Sequence, residues 1–178
     1  MAHLEQKVYF IKIKSMFPDS FNNTSVVEIG SLNINGTVRD LFTNSKRYVG
    51  IDLENGPGVD VVCEGKKFYE PDNTFDTSIS SECFEHNPYW EETFVNMHRI
   101  TKPGGLVTFT CASNGRGEHG TSRSAPECSP FTINAGWEYY KNLNEKDFEK
   151  VMKEISFSEY LFEYNKVSHD LYFYGIKA

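Results

Sequence analysis

Short apolar runs alternate with polar, turn-rich segments along most of this chain, and the spacing inside each segment sets the element it predicts. Leu4, Val8, Ile11 and Phe17 recur at a loose helical period that Pro18 ends, which predicts a first helix over Leu4–Phe17. Ser25-Val26-Val27-Glu28-Ile29-Gly30 is a compact apolar run stopped by glycine and reads as a strand. The turn signal Asn35-Gly36 follows, and Val38, Leu41 and Phe42 predict a helix over Thr37–Phe42. Arg47–Asp52 reads as a second strand ending in a carboxylate, Val59–Cys63 as a third and Phe75–Ser80 as a fourth.

Trp90, Phe94, Met97, His98 and Ile100 sit at helical spacing within Tyr89–Ile100. Lys102-Pro103-Gly104-Gly105 breaks that helix and feeds a strand over Leu106–Cys111. Ala112–Gly136, rich in Ser, Gly and Pro, predicts an irregular loop. Asn144 is an N-cap, with Glu145 and Asp147 in the first turn of a helix reaching about Ile155. Phe157–Asn165 and Leu171–Lys177, on either side of Ser168-His169-Asp170, predict an aromatic-rich hairpin. There is no internal repeat, and residues 1–178 read as one domain.

Strands alternating with helices predict an α/β fold, a mainly parallel sheet flanked by helices. Leu53–Gly58 is too short for a helical crossover between parallel strands, so stiff Gly56-Pro57-Gly58 predicts an extended loop there. Composition agrees with this picture: 178 residues, 39% hydrophobic and 24% charged, suit one ordinary globular core. A net charge of −7 with no dense Lys/Arg run argues against nucleic acid or an anionic membrane as the main partner. The opening Met1-Ala2-His3-Leu4-Glu5-Gln6-Lys7 lacks the order of a signal peptide, and no apolar run suits a membrane helix. Cys63, Cys83, Cys111 and Cys128 form no CxxC pair, so neither a metal site nor a disulfide framework is expected. They fit a reducing cytoplasm.

Ligands of an open α/β sheet bind at the carboxyl ends of its strands. Here those ends carry Glu28-Ile29-Gly30-Ser31 with Asn35-Gly36 beyond, then Asp52, then Glu64-Gly65, then Ser80-Ser81-Glu82. A carboxylate at the second strand end suits the two hydroxyls of a ribose, and a glycine turn lets a cofactor approach the backbone. Taken singly, Gly30, Gly36 and Asp52 could be turn residues and a solvated strand end; together the strand ends favour a nucleoside site. Leu32, Asn33 and Ile34 fill the first loop, so the GxGxxG fingerprint is missing, and Gly65-Lys66-Lys67 lacks the features of a Walker loop. A nucleoside without a pyrophosphate fits best.

Glu28–Ser31 through Asn35-Gly36, followed by Tyr48–Asp52, resembles the first two motifs of class I S-adenosylmethionine-dependent methyltransferases. Phe75–His86 is similar to their fourth motif, and Arg99–Leu106 to the segment entering their fifth strand. The family order and spacing hold from Ser25 to Cys111. The resemblance implies a Rossmann-like three-layer sandwich whose seven-stranded sheet ends in an antiparallel strand, which the terminal hairpin can supply. It implies S-adenosyl-L-methionine as cofactor, with Glu28 and Gly30 at the methionine moiety and Ser31, Asn35 and Gly36 completing the first loop. Asp52 would hold the ribose, Leu53 the adenine, and Glu64 the adenine amine beside Gly65. Ser81 and Glu82 would form the far wall. Two departures stand out: the first loop lacks the usual third glycine, and the helix after the second strand is missing.

Methyl transfer to oxygen also needs a base, since a protonated hydroxyl is a poor nucleophile. His86, just beyond the fourth strand, is the first candidate, and His119 in the long loop the second. His3, His98 and His169 read as structural or exposed. Tyr89 and Trp90 could wall the acceptor site, although Trp90 at helical spacing with Phe94 also suits a core, and Trp137-Glu138-Tyr139-Tyr140 could cover the site as a lid. Sequences with this Asn-Gly loop and Gly-Pro-Gly turn look like bacterial enzymes that modify surface sugars or metabolites, which implies a small-molecule or glycan acceptor. A non-catalytic methyltransferase-like binding or assembly module is the alternative. A nicotinamide-dependent oxidoreductase fails on the missing fingerprint.

Overall fold

The computed structural model describes residues 4–178, so His3 lies outside the described residues. Seven strands form one sheet: β1 (Ser25–Ile29), β2 (Arg47–Asp52), β3 (Val61–Val62), β4 (Phe75–Ser81), β5 (Thr101–Ala112), β6 (Phe157–Asn165) and β7 (Asp170–Lys177). Their order is β3-β2-β1-β4-β5-β7-β6. The first five are mutually parallel, whereas β7 runs antiparallel to both β5 and β6. This is the sheet that the family resemblance implies, closed at one side by the aromatic hairpin. The chain reverses its strand order at β1 and β4, which opens a crevice at their carboxyl ends.

Two clusters of buried side chains cover the two faces of the sheet. On one face α1 (Leu4–Met16) packs Tyr9, Phe10 and Ile13 against Val26, Ile79, Leu106, Tyr172 and Tyr174. On the other, α2 (Trp90–Ile100) brings Trp90, Phe94, Met97 and Ile100 onto Val27, Ile29, Val107 and Phe109. Alternate residues of β1 thus point to opposite cores, as the pleat requires.

The helix at the start is present, but its buried face is not the one its aliphatic spacing suggests. Leu4, Val8 and Ile11 are exposed, and Gln6, Tyr9, Phe10 and Ile13 face inward. Aromatic rings bury more area than the aliphatic stripe would, and Tyr9 stacks on Tyr172 with centroids 4.4 Å apart. The helix expected over Thr37–Phe42 is only a 3₁₀ turn, Arg39–Leu41. Thr37 Oγ1 accepts the Arg39 N–H at 3.1 Å, and the tight turn still buries Val38 and stacks Phe42 on Phe21. The third strand shrinks to two exposed residues, and the connection before it is a loop, as Gly56-Pro57-Gly58 implies.

Three other boundaries shift. β5 begins at Thr101, and a bulge absorbs Lys102–Gly105, with Gly104 at φ +75°. The long loop after β5 contains a 3₁₀ turn, Pro126–Cys128, and the short α3 (Pro130–Asn134). Asn144 caps α4 (Glu145–Phe148) through a reciprocal pairing with Asp147, but the helix then continues only as a 3₁₀ turn, Val151–Lys153.

Candidate functional site

A cleft opens at the carboxyl ends of β1, β2 and β4. Glu28, Gly30, Ser31, Asn35, Gly36, Asp52, Leu53, Gly65, Ser81, Glu82 and His86 line it together. Residues drawn from strand ends and loops far apart in sequence therefore converge on one cavity. Glu64 is the exception. Its carboxylate is drawn onto Lys67 and lies 3.7 Å from Lys66, so the structure does not bring it to the cleft with its neighbour Gly65.

The backbone makes this convergence possible at two glycines. Gly30 has φ +76°, and a Cβ there would lie 2.7 Å from Cys83. Gly50 of β2 passes so close to the Gly58 carbonyl that a Cβ would sit 2.3 Å from it. The first loop is locked from within: Asn33 Oδ1 accepts the Gly36 N–H at 2.9 Å, and the N–H groups of Gly30 and Ser31 both donate to the Ile51 carbonyl. These bonds do the work of the absent third glycine, which explains how the atypical loop still borders the cleft.

Asp52 is fixed at the tip of β2. Its Oδ2 accepts the Leu32 N–H at 2.9 Å and its Oδ1 the Leu53 N–H at 2.8 Å. Each oxygen keeps a lone pair for a further donor. Burial pushes its carboxyl above the usual range, and the two N–H groups oppose the shift. Glu28 is buried beneath the cleft, where the Tyr48 hydroxyl donates to Oε2 at 2.8 Å. Burial raises its carboxyl to about 8, with the Tyr48 hydrogen bond and nearby Arg39 pulling the other way. Glu82 holds a left-handed conformation, φ +49°, at the end of β4. A non-glycine residue there is strained by about 1–3 kcal/mol, and such strain concentrates at functional sites.

His86 closes a 3₁₀ turn, Phe84–His86, just after β4 and is buried. Burial and the facing His119 ring hold its imidazole well below the ordinary value, at about 3, so it is neutral at physiological pH. His119 does not line the cleft; its ring meets that of His86 edge-on at 4.9 Å, and Tyr140 packs on both. The two candidate histidines of the sequence are thus neighbours.

Sequence reasoning passed over Cys128, Ser129 and Phe131, which come from the long loop after β5 and line the cleft; Trp137, from the segment proposed as a lid, lines it too. Trp137 meets Tyr89 edge-on at 5.5 Å, so the aromatic segment does contribute to the cover, whereas Trp90 is core, packed on Phe148. Glu85 gave no signal at all: a glutamate in a polar turn reads as solvated, yet its side chain is fully buried beside His86. His98 contacts the Ser156 carbonyl and His169 the Tyr164 hydroxyl, and neither lines the cleft.

Comparison with known proteins places this geometry in context. Residues 28–109 match the family model described as a methyltransferase domain. A 47-residue stretch is 40% identical to phosphoethanolamine N-methyltransferase 2 of Caenorhabditis elegans, covering 26% of this chain and 11% of that one. Among solved structures, Haemonchus contortus phosphoethanolamine N-methyltransferase 2, in complex with phosphomonomethylethanolamine and S-adenosylhomocysteine, superposes with a TM-score of 0.66 at 16% identity. The match covers 94% of this chain and 52% of that one, so the chain spans about half the length of that relative. Burkholderia thailandensis 1,6-didemethyltoxoflavin N1-methyltransferase, with its acceptor and S-adenosylhomocysteine bound, gives a TM-score of 0.60 at 13% identity. Coverage there is 100% of this chain and 92% of the other. At these identities the structural matches establish a shared fold.

Proposed function

We propose, from the match of residues 28–109 to a methyltransferase-domain model and from the shared fold, that the chain binds S-adenosyl-L-methionine and methylates a hydroxyl of a small-molecule or sugar acceptor. The observation that carries this reading is the convergence of Glu28, Gly30, Ser31, Asp52, Leu53, Ser81 and Glu82 on one cleft at the switch in strand order. The donor set fits the cofactor: a carboxylate pre-anchored at the second strand tip for ribose hydroxyls, small residues and backbone along the first loop, and apolar Leu53 beside them.

When bound, the cofactor supplies a methyl group already activated as a sulfonium, so the protein's part is alignment and exclusion of water. Asp52, held rigid by the Leu32 and Leu53 amides, would hold the ribose hydroxyls. Phe131 and Trp137 line the cleft and would help to exclude water from it. His86 is neutral and borders the cleft, so a ring nitrogen bearing a lone pair can accept a hydrogen bond from an acceptor hydroxyl. Its low basicity suits it to orient that hydroxyl and take the proton as the methyl group moves, rather than beforehand. No described helix is long and apolar enough to cross a membrane, and all four cysteines are free, which supports a cytoplasmic setting with a diffusible acceptor.

The test is transfer of labelled methyl from S-adenosylmethionine to a panel of sugar hydroxyls, small phenols and amines, with the methylated atom located by NMR. The expectation is an O-methyl product and a turnover that falls at least about 100-fold in His86→Ala, the usual scale for a positioned acid–base group. Transfer to amines alone, as the names of the matched relatives would suggest, would remove the oxygen assignment; no transfer to either class would favour a non-catalytic module.

A further inference from the structure

His86 borders the cleft, and it also belongs to a second group of side chains that cofactor binding does not use. Glu85 and His86 are adjacent on the turn after β4, and His119 reaches them from the loop after β5. One potential ligand atom from each falls within 4.8 Å of the other two. Sequence spacing gives no hint of such a centre, because the third member arrives from a distant loop.

The chemistry of the three is incomplete as it stands. Glu85 is fully buried, and neither carboxylate oxygen has a hydrogen-bond partner among the described residues. Oε1 lies 3.9 Å from His86 Nε2. A buried carboxylate without compensation is costly, and it is relieved either by neutralisation or by a cation. The negative neighbours Glu82 and Asp170 add to that cost, although Asp170 is engaged by Arg116, and a cation shared with two imidazoles would relieve it.

The imidazoles are prepared in a specific way. His119 Nδ1 faces the Gly117 carbonyl at 3.0 Å, which places the ring proton there and leaves Nε2 as a lone pair, unpartnered among the described residues. A ligating histidine characteristically donates its other N–H to such a backbone carbonyl, which fixes tautomer and ring orientation. Tyr140 supports the same carbonyl: its hydroxyl donates to Gly117 at 3.0 Å while its ring walls both imidazoles. Gly120, at φ +65°, packs so closely on His86 that a Cβ would lie 2.6 Å from Cε1, so the His86 ring is held in place as well.

We propose that Glu85, His86 and His119 form a binding site for a divalent first-row transition ion. Two imidazoles and one carboxylate suit Zn²⁺ or Co²⁺ better than Mg²⁺ or Ca²⁺, which prefer all-oxygen shells. Three protein ligands leave coordination positions open, as in sites that bind a substrate rather than only brace a fold. Because His86 also lines the cleft, an acceptor hydroxyl could occupy one of them; coordination would then make that hydroxyl more acidic, in place of His86 acting as its base. This last step rests on the oxygen-directed methyl transfer proposed above; the metal site itself does not.

Chelator-treated protein titrated with Co²⁺, followed by visible absorption, and with Zn²⁺, followed by calorimetry, tests the site without any turnover. S-Adenosylhomocysteine is titrated in parallel into each sample, and far-UV circular dichroism checks folding. The wild type is expected to bind one equivalent of metal and to develop cobalt ligand-field bands. Glu85→Gln and His119→Ala should each weaken metal binding by at least about tenfold, the lower end of what even outer-shell partners cost, with S-adenosylhomocysteine affinity retained. His119→Gln serves if the alanine variant fails to fold. A wild type that binds S-adenosylhomocysteine but neither metal overturns the site while leaving the methyltransferase reading intact. Metal binding that persists unchanged in both variants overturns it too. Metal binding without any S-adenosylhomocysteine binding would support the site and remove the cofactor reading instead.

Discussion

Glu28 illustrates how burial alone can give one side chain a measurable signature. Its carboxyl rises to about 8 on folding because desolvation outweighs the Tyr48 hydrogen bond and the Arg39 charge. A raised acid pKa means that the folded state keeps a proton the unfolded chain has already released. The associated stabilisation is complete below the unfolded value, near pH 4.5, and is lost as pH rises through about 8. Glu28→Gln cannot ionise, yet its amide oxygen can still accept from Tyr48. Its stability relative to wild type should therefore increase between pH 5 and pH 9, as read by thermal melts at both ends. A difference that stays flat with pH would mean that Glu28 is solvated. His86 moves the opposite way: its imidazole stays neutral down to about pH 3, so long-range ¹H–¹⁵N spectra of metal-free protein at pH 5 should show a neutral ring. A charged ring at that pH would place His86 in solvent. Asp52, Gly30 and His86 were legible in the sequence because a carboxylate, a glycine stop or a histidine after a strand is chemically conspicuous. Glu85 was not, since nothing local distinguishes a buried glutamate from a solvated one.

At the scale of elements, strands were read more accurately than turns and helix faces. β1 is a nearly continuous apolar run, whereas β4 buries the hydroxyls of Thr77, Ser78 and Ser80, each with a hydrogen-bond partner. Short 3₁₀ turns such as Arg39–Leu41 bury the same residue types as a helix, and spacing alone does not separate them. The inward face of α1 was hidden for a different reason: the aliphatic residues obey the period better than the aromatic ones that are buried. Val8→Lys on the exposed face should change stability by less than about 0.5 kcal/mol, whereas Phe10→Ala should cost about 3–5 kcal/mol in urea denaturation. Reversed magnitudes would mean that α1 docks by its aliphatic face. α1 also reaches the site directly, because the Gln6 amide donates to Ser81 Oγ, at the lip of the cleft, and to Thr110 at 3.1 Å. At the other end of the chain, the Asn144–Asp147 capping box was readable in advance, and Asn144→Ala should cost about 1 kcal/mol.

For the molecule as a whole, one seven-stranded sheet with its order reversed between β1 and β4 brings several weak local signals to a single place. The order of motifs from Glu28 to Glu82 and the candidate lid at Trp137 were visible in the sequence; the lining from Cys128, Ser129 and Phe131 was not, because it depends on how a long loop folds back towards the strand ends. The account depends most on Asp52 holding a nucleoside in that cleft. Calorimetric titration of S-adenosylhomocysteine into wild type and Asp52→Ala, with thermal melts to confirm that both are folded, measures this directly. Wild type should bind one equivalent, and Asp52→Ala should bind more weakly by about 1–3 kcal/mol, the scale of lost charged hydrogen bonds. Absence of binding to the wild type, or equal affinity for the two proteins, would contradict it.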